Sequence, residues 1–117
     1  MFLATLALAS QATEWTDDQR QLAQQLTQET RDYRAGLPLR DGVLTITEVQ
    51  LRGLEIVYTG IVDGDWGAEN IGLFRDAVTN GLCAGDTSQV IRRGGSFTYD
   101  LRDVSGERFV TTVAHCK

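Results

Sequence analysis

The spacing of apolar residues changes period several times along this chain, and each change marks an element. Thr16-Asp17-Asp18-Gln19 has the spacing of a capping box, with two acids where a helix N-terminus favours them. Beyond it Leu22, Leu26 and Tyr33, with Ala23 and Thr30, recur on one side of a helix. Gln21, Gln24, Gln25, Gln28, Glu29 and Arg31 fall on the water side. The apolar stripe is narrow, so this helix lies on a surface. Gly36 and Pro38 end it.

The period then drops to two. Residues 42–51, GVLTITEVQL, are rich in β-branched types and predict a strand. Leu44 and Ile46 share one parity, Val49 and Leu51 the other, which predicts a bulge near Thr47-Glu48. Arg52-Gly53 turns the chain into a second strand, residues 54–62. There Leu54, Ile56, Tyr58 and Val62 point one way, and Val57 and Ile61 the other. A strand apolar on both sides is central, or its outer face meets something.

Asp63 to Glu69 reads as a loop, and the strongest 3.6-residue pattern follows it: Ile71, Phe74, Val78 and Leu82. Asp86 or Thr87 can cap a short helix through Val90 and Ile91, stopped by Gly94-Gly95. Residues 96–103 alternate, with Phe97, Tyr99 and Leu101 inward. Ser105-Gly106 turns the chain and residues 108–116 return. The order α-β-β-α-(α)-β-β predicts an α+β domain. Its expected sheet has four antiparallel strands in two hairpins, with the helices packed on one face.

Composition narrows the class. The chain has 117 residues, enough for one domain over residues 13–117. Its formal charge of -5 argues against nucleic acid and against recruitment to anionic lipid. Residues 1–12, MFLATLALASQA, carry an apolar run from Phe2 to Ala9 and a small-x-small pattern at Ser10-Gln11-Ala12. They read as a secretory signal peptide, shortened at its start because no Lys or Arg precedes the run. The run is too short for a transmembrane segment, and no cysteine lies near it to carry a lipid anchor. Export to a periplasmic or secreted location is the expectation.

Cys83 and Cys116 are the only cysteines. In an exported chain the pair reads as a structural disulfide, closing a loop of about 34 residues. A reactive thiol helped by His115 is the alternative. His115 and Cys116 are neighbours in a strand and point to opposite faces, which leaves only Cys83 for such a pairing. The close C-x-x-C of a redox pair does not occur, and one His with two Cys falls short of a zinc site.

Asp63, Asp65 and Glu69 have a spacing reminiscent of calcium ligands, but the glutamate that an EF-hand loop needs at its twelfth position is Phe74 here. No metal or other cofactor is assigned. The sequence has one His and none of the G-x-S-x-G, phosphate-loop, H-E-x-x-H or dinucleotide patterns. The expectation is therefore not an enzyme but a non-catalytic binding or assembly module. Its expected interaction surface is Val57 and Ile61 with Trp66 beside them, and its partner another protein or a second copy. Two alternatives compete with it. One is a small ligand- or metal-binding protein or hydrolase using the Asp63–Glu69 loop; the other is an enzyme inhibitor presenting Trp66.

From Leu37 onward the chain resembles a group of small bacterial periplasmic two-cysteine α+β proteins. The likeness rests on Leu37, Pro38 and Asp41 leading into a strand with Thr45, then Tyr58, then Leu82-Cys83 at a helix end. Gly95, the Phe97-x-Tyr99 strand, Asp103 to Gly106 and the terminal Cys116 complete it. The architecture is also similar to that of disulfide-bonded pilotins, which bind and escort outer-membrane secretin subunits. The resemblance implies the fold and an envelope compartment.

Overall fold

Thr16 starts the first helix with the reciprocal bonds that its spacing predicts. Gln19 N–H donates to Thr16 Oγ1 and Thr16 N–H to Gln19 Oε1, both at 3.0 Å. The helix, α1, runs over Asp17–Ala35 and buries only Leu22, Leu26 and Thr30. The structure, a computed structural model, describes residues 14–64 and 66–117. The signal-peptide reading of residues 1–12 lies outside them.

After α1 come β1 (Leu39–Asp41), β2 (Leu44–Arg52) and β3 (Glu55–Val62). Helices α2 (Ala68–Ala84) and α3 (Thr87–Arg92) follow, then β4 (Ser96–Arg102) and β5 (Arg108–Val113). The sheet has five strands in the order β1-β2-β3-β4-β5. This corrects the expected four antiparallel strands in two respects. Leu39–Asp41 pairs with β2 through a tight turn at Gly42, whose φ of 61° places it in the left-handed region. Three exposed residues are too short a run for alternation to betray; Asp41-Gly42 is the sequence signal. The second correction is direction: β3 and β4 pair in parallel. The helical crossover α2-α3 carries the chain back to the starting end before β4 begins, which a hairpin does not do.

The bulge falls where the parity slip puts it. The β2–β3 register shifts between Ile46 and Glu48. From the last turn of α1, Arg34 Nη2 donates to the Val49 carbonyl at 2.6 Å, and Arg34 Nε meets Glu48 Oε1 at 3.3 Å. The irregular strand is thus tied to the helix above it.

Helices cover one face of the sheet: α1 lies over β2, and α2 packs on α3 and over β5. Two apolar clusters lie beneath them. Leu22, Leu26, Val49, Ile56, Val90, Ile91, Phe97 and Val113 form one. Ile46, Val62 and Leu101 form the other, lined by Trp66, Phe74 and Phe109. Tyr33, Leu37 and Tyr58 touch both. The opposite face carries a polar ladder in which Thr98 Oγ1 donates to Glu55 Oε2 at 2.6 Å and lies 2.8 Å from Thr112 Oγ1. Cys83 and Cys116 are bonded, with Cα atoms 5.6 Å apart, so the end of α2 is tied to the residues after β5.

Asp103 organises the β4–β5 turn. Its Oδ1 accepts from the Ser105 hydroxyl and from the Ser105 and Glu107 N–H groups, and its Oδ2 accepts from the Trp66 N–H at 3.3 Å. The Ser105 hydroxyl bond, followed by the backbone donors, holds the carboxyl below the usual aspartate range. A depressed native pKa gives stability that is complete above the unfolded value of about 3.9 and is lost as pH falls through the native one. Asp103→Ala should therefore lower the melting temperature clearly at pH 7 and by much less at pH 3. A gap of equal size at both pH values would show that the turn does not depend on the charged carboxylate.

Candidate functional site

α1 and α3 stand side by side on the sheet, and the gap between them is a cleft of about 230 Å³. Gln25, Glu29, Thr30 and Tyr33 form the α1 wall; Asp86, Thr87 and Val90 form the other. The floor is Val49, Ile56, Tyr58 and Phe97, which the strand period sends to the helix-bearing face. The narrow apolar stripe of α1 explains the gap. It reaches down to β2 but has nothing left to meet a second helix.

Aromatic rings run from this cleft across the sheet. Tyr33 meets Tyr58 edge-on at 5.3 Å between centroids, and Tyr58 stacks on Tyr99 at 4.9 Å. Tyr99 meets Phe74 of α2, and Phe74 meets Trp66 and Phe109. Burial is the first cause that pushes the three phenols above their ordinary pKa. Neighbouring Tyr99, Tyr33 and Glu29 add to it for Tyr58, Asp41 for Tyr33, and Tyr33 and Asp41 for Tyr99. They remain neutral hydroxyls. Thr30, 5% exposed, lines the same cleft, and its Oγ1 has no hydrogen-bond partner among the described residues. An apolar floor with a few polar groups at its walls is the chemistry of binding.

Cys83 and Cys116 are joined as the sequence predicts, but Trp66 is parted from Val57 and Ile61. Val57, with Gln50 and Thr98 beside it in the sheet, is 6% exposed, whereas Ile61 on the same row is 48% exposed. Trp66 lies on the other, helix-bearing face, stacked on Phe109 at 5.6 Å and edge-on to Phe74 at 5.3 Å. Its ring gains more by joining those aromatics than by standing in water. Asp63 accepts from Arg40 Nη2, Glu69 sits exposed in the first turn of α2, and Asp65 lies outside the described residues. No group of three or more His, Cys, Asp or Glu able to hold a metal occurs among the described residues. Sequence reading missed the cleft because its walls come from helices far apart in the chain. The signal was present in Tyr33 and Thr30, placed on the helix's apolar side without a partner named for them.

No family model and no curated protein matches the chain. Solved structures do. The pilotin EpsS of the Vibrio vulnificus type 2 secretion system matches with a TM-score of 0.73 at 17% identity, over 86% of this chain and 98% of that one. The type II secretion system pilotin AspS from Vibrio cholerae matches with a TM-score of 0.66 at 20% identity, over 83% and 92%. This chain has the fold of those pilotins. A candidate secreted protein of Pseudomonas aeruginosa shares it, with a TM-score of 0.68 at 13% identity over 84% and 93%. The architectural likeness to disulfide-bonded pilotins is therefore present. Among the described residues no helix is long and apolar enough to cross a membrane.

Proposed function

We propose that this chain is a non-catalytic binding and assembly module of the cell envelope, and that it holds a segment of a partner protein in the α1–α3 cleft. The observation that carries this reading is the cleft itself: an apolar floor of Val49, Ile56, Tyr58 and Phe97 between two helical walls. The cleft floor is the helix-bearing face of β2, β3 and β4. A helical segment laid on it satisfies its own backbone and offers only side chains. The pilotin likeness supports an outer-membrane secretin subunit as the partner, and a periplasmic or secreted location agrees with the bonded cysteines.

A second reading keeps the outer sheet face as the contact surface, on the exposure of Ile61 and Val110 there. Two substitutions at exposed positions separate the readings. Gln25→Trp sets a large ring over the cleft mouth and is expected to weaken binding of an outer-membrane secretin subunit at least about tenfold, with the melting temperature unchanged. Ile61→Ser should leave binding as it is. Calorimetric titration giving the reverse pattern would move the contact to the outer face, and no effect from either would reject both surfaces.

A further inference from the structure

The walls of the cleft are charged with one sign. Glu29 stands on α1 and Asp86 at the start of α3, facing the same space, and no Lys or Arg lines it. Among the described residues neither carboxylate forms an ion pair. Among the described residues Glu29 accepts an amide N–H, from Gln25 Nε2 at 3.1 Å. The cation nearest along that chain of contacts is Arg93, whose Nη1 donates to Gln25 Oε1 at 3.2 Å. Arg93 is engaged elsewhere: its Nε meets both oxygens of the Asp18 carboxylate, at 3.2 and 3.0 Å. Two negative charges with no cation between them therefore flank an apolar floor that ends in the Tyr33 and Tyr58 rings.

We infer that the occupant of this cleft is an apolar protein segment carrying Lys or Arg on its binding face. Its apolar side chains would lie on Tyr58, Ile56 and Phe97, and its cation between Glu29 and Asp86. This deepens the cleft-binding reading and rests on it. Two features of the site agree on the sign. The two unpaired carboxylates lower the energy of a cation entering between them. The tyrosine faces attract a cation by their quadrupole. An acidic segment would meet repulsion from both walls, so the same charges exclude partners as well as select them.

The experiment uses two synthetic helical peptides with identical Leu-rich faces, one flanked by Lys and the other by Glu, titrated calorimetrically into the disulfide-bonded protein. The Lys peptide should bind at least about tenfold more tightly than the Glu peptide, and its affinity should fall as salt is raised. Glu29→Gln with Asp86→Asn, both at surface positions, should erase that preference and the salt dependence without changing the melting temperature. Equal affinities for the two peptides, or an unchanged preference in the double variant, would overturn the charge assignment while leaving the cleft reading intact. Failure of both peptides, together with secretin-subunit binding that Gln25→Trp does not affect, would overturn the two readings together.

Discussion

Replacing Cys83 and Cys116 together with alanine should lower stability by about 3–4 kcal/mol. The bond spans 33 residues, and the chain-entropy relation gives about 3.8 kcal/mol for a loop of that length. The location of the bond sets how much of that value is realised. None of the described side chains of α2 is fully buried; Val78, Leu82 and Cys83 are only partly covered where they meet the first core cluster. The helix with the strongest apolar period is therefore held loosely by packing, and the disulfide is its fixed point on the β5 side of the sheet. For a domain of this size the loss corresponds to a fall in melting temperature of roughly 10–20 °C. Urea unfolding of oxidised wild type against the double variant measures it. A difference under about 1 kcal/mol would mean that the reduced chain keeps α2 in place without the bond.

Local chemistry was legible in the sequence wherever neighbours in the chain decide it. The Thr16 capping box, the Thr47-Glu48 bulge, the Arg52-Gly53 turn and the inward row Phe97, Tyr99, Leu101 all depend on residues within one turn or one hairpin. The direction of β4 was not of that kind. It depends on how far α2 and α3 travel before the chain re-enters the sheet, and hydrophobic period is blind to direction. The apolar row Val57 and Ile61 was read correctly as facing away from Tyr58, but burial there is set by the neighbouring strands. Val57, between Gln50 and Thr98 in the register, is buried, while Ile61, between Thr45 and Arg102, is exposed. Trp66 shows the same limit in the other direction. A tryptophan between glycines has no period at all, and only the positions of Phe74 and Phe109 decide where its ring settles. The cleft needed three separate elements to be placed before Glu29, Thr30, Tyr58 and Asp86 became neighbours.

Leu26→Ala should remove about 2–5 kcal/mol, more than its position on a polar helix would lead one to expect. Leucine truncation in a closed core loses the transfer energy of the side chain and leaves a cavity whose cost depends on how far the surroundings collapse. α1 buries only Leu22, Leu26 and Thr30, and Thr30 brings an unsatisfied hydroxyl. Two buried leucines, with the partly covered Tyr33, thus carry the apolar attachment of nineteen residues. The polar ties, Arg34 to Glu48 and Arg93 to Asp18, are partly exposed pairs that add little to stability. They fix the helix's direction more than its presence. Gln24→Ala on the water-facing side is the control and should change stability by less than about 0.5 kcal/mol. The same truncation reaches the binding site, because α1 is one wall of the cleft. Peptide affinity in Leu26→Ala, measured well below its melting temperature, should fall although Leu26 does not line the cleft. If stability drops while affinity stays at the wild-type value, α1 is held in place over the cleft by its polar ties and the apolar stripe serves the fold alone.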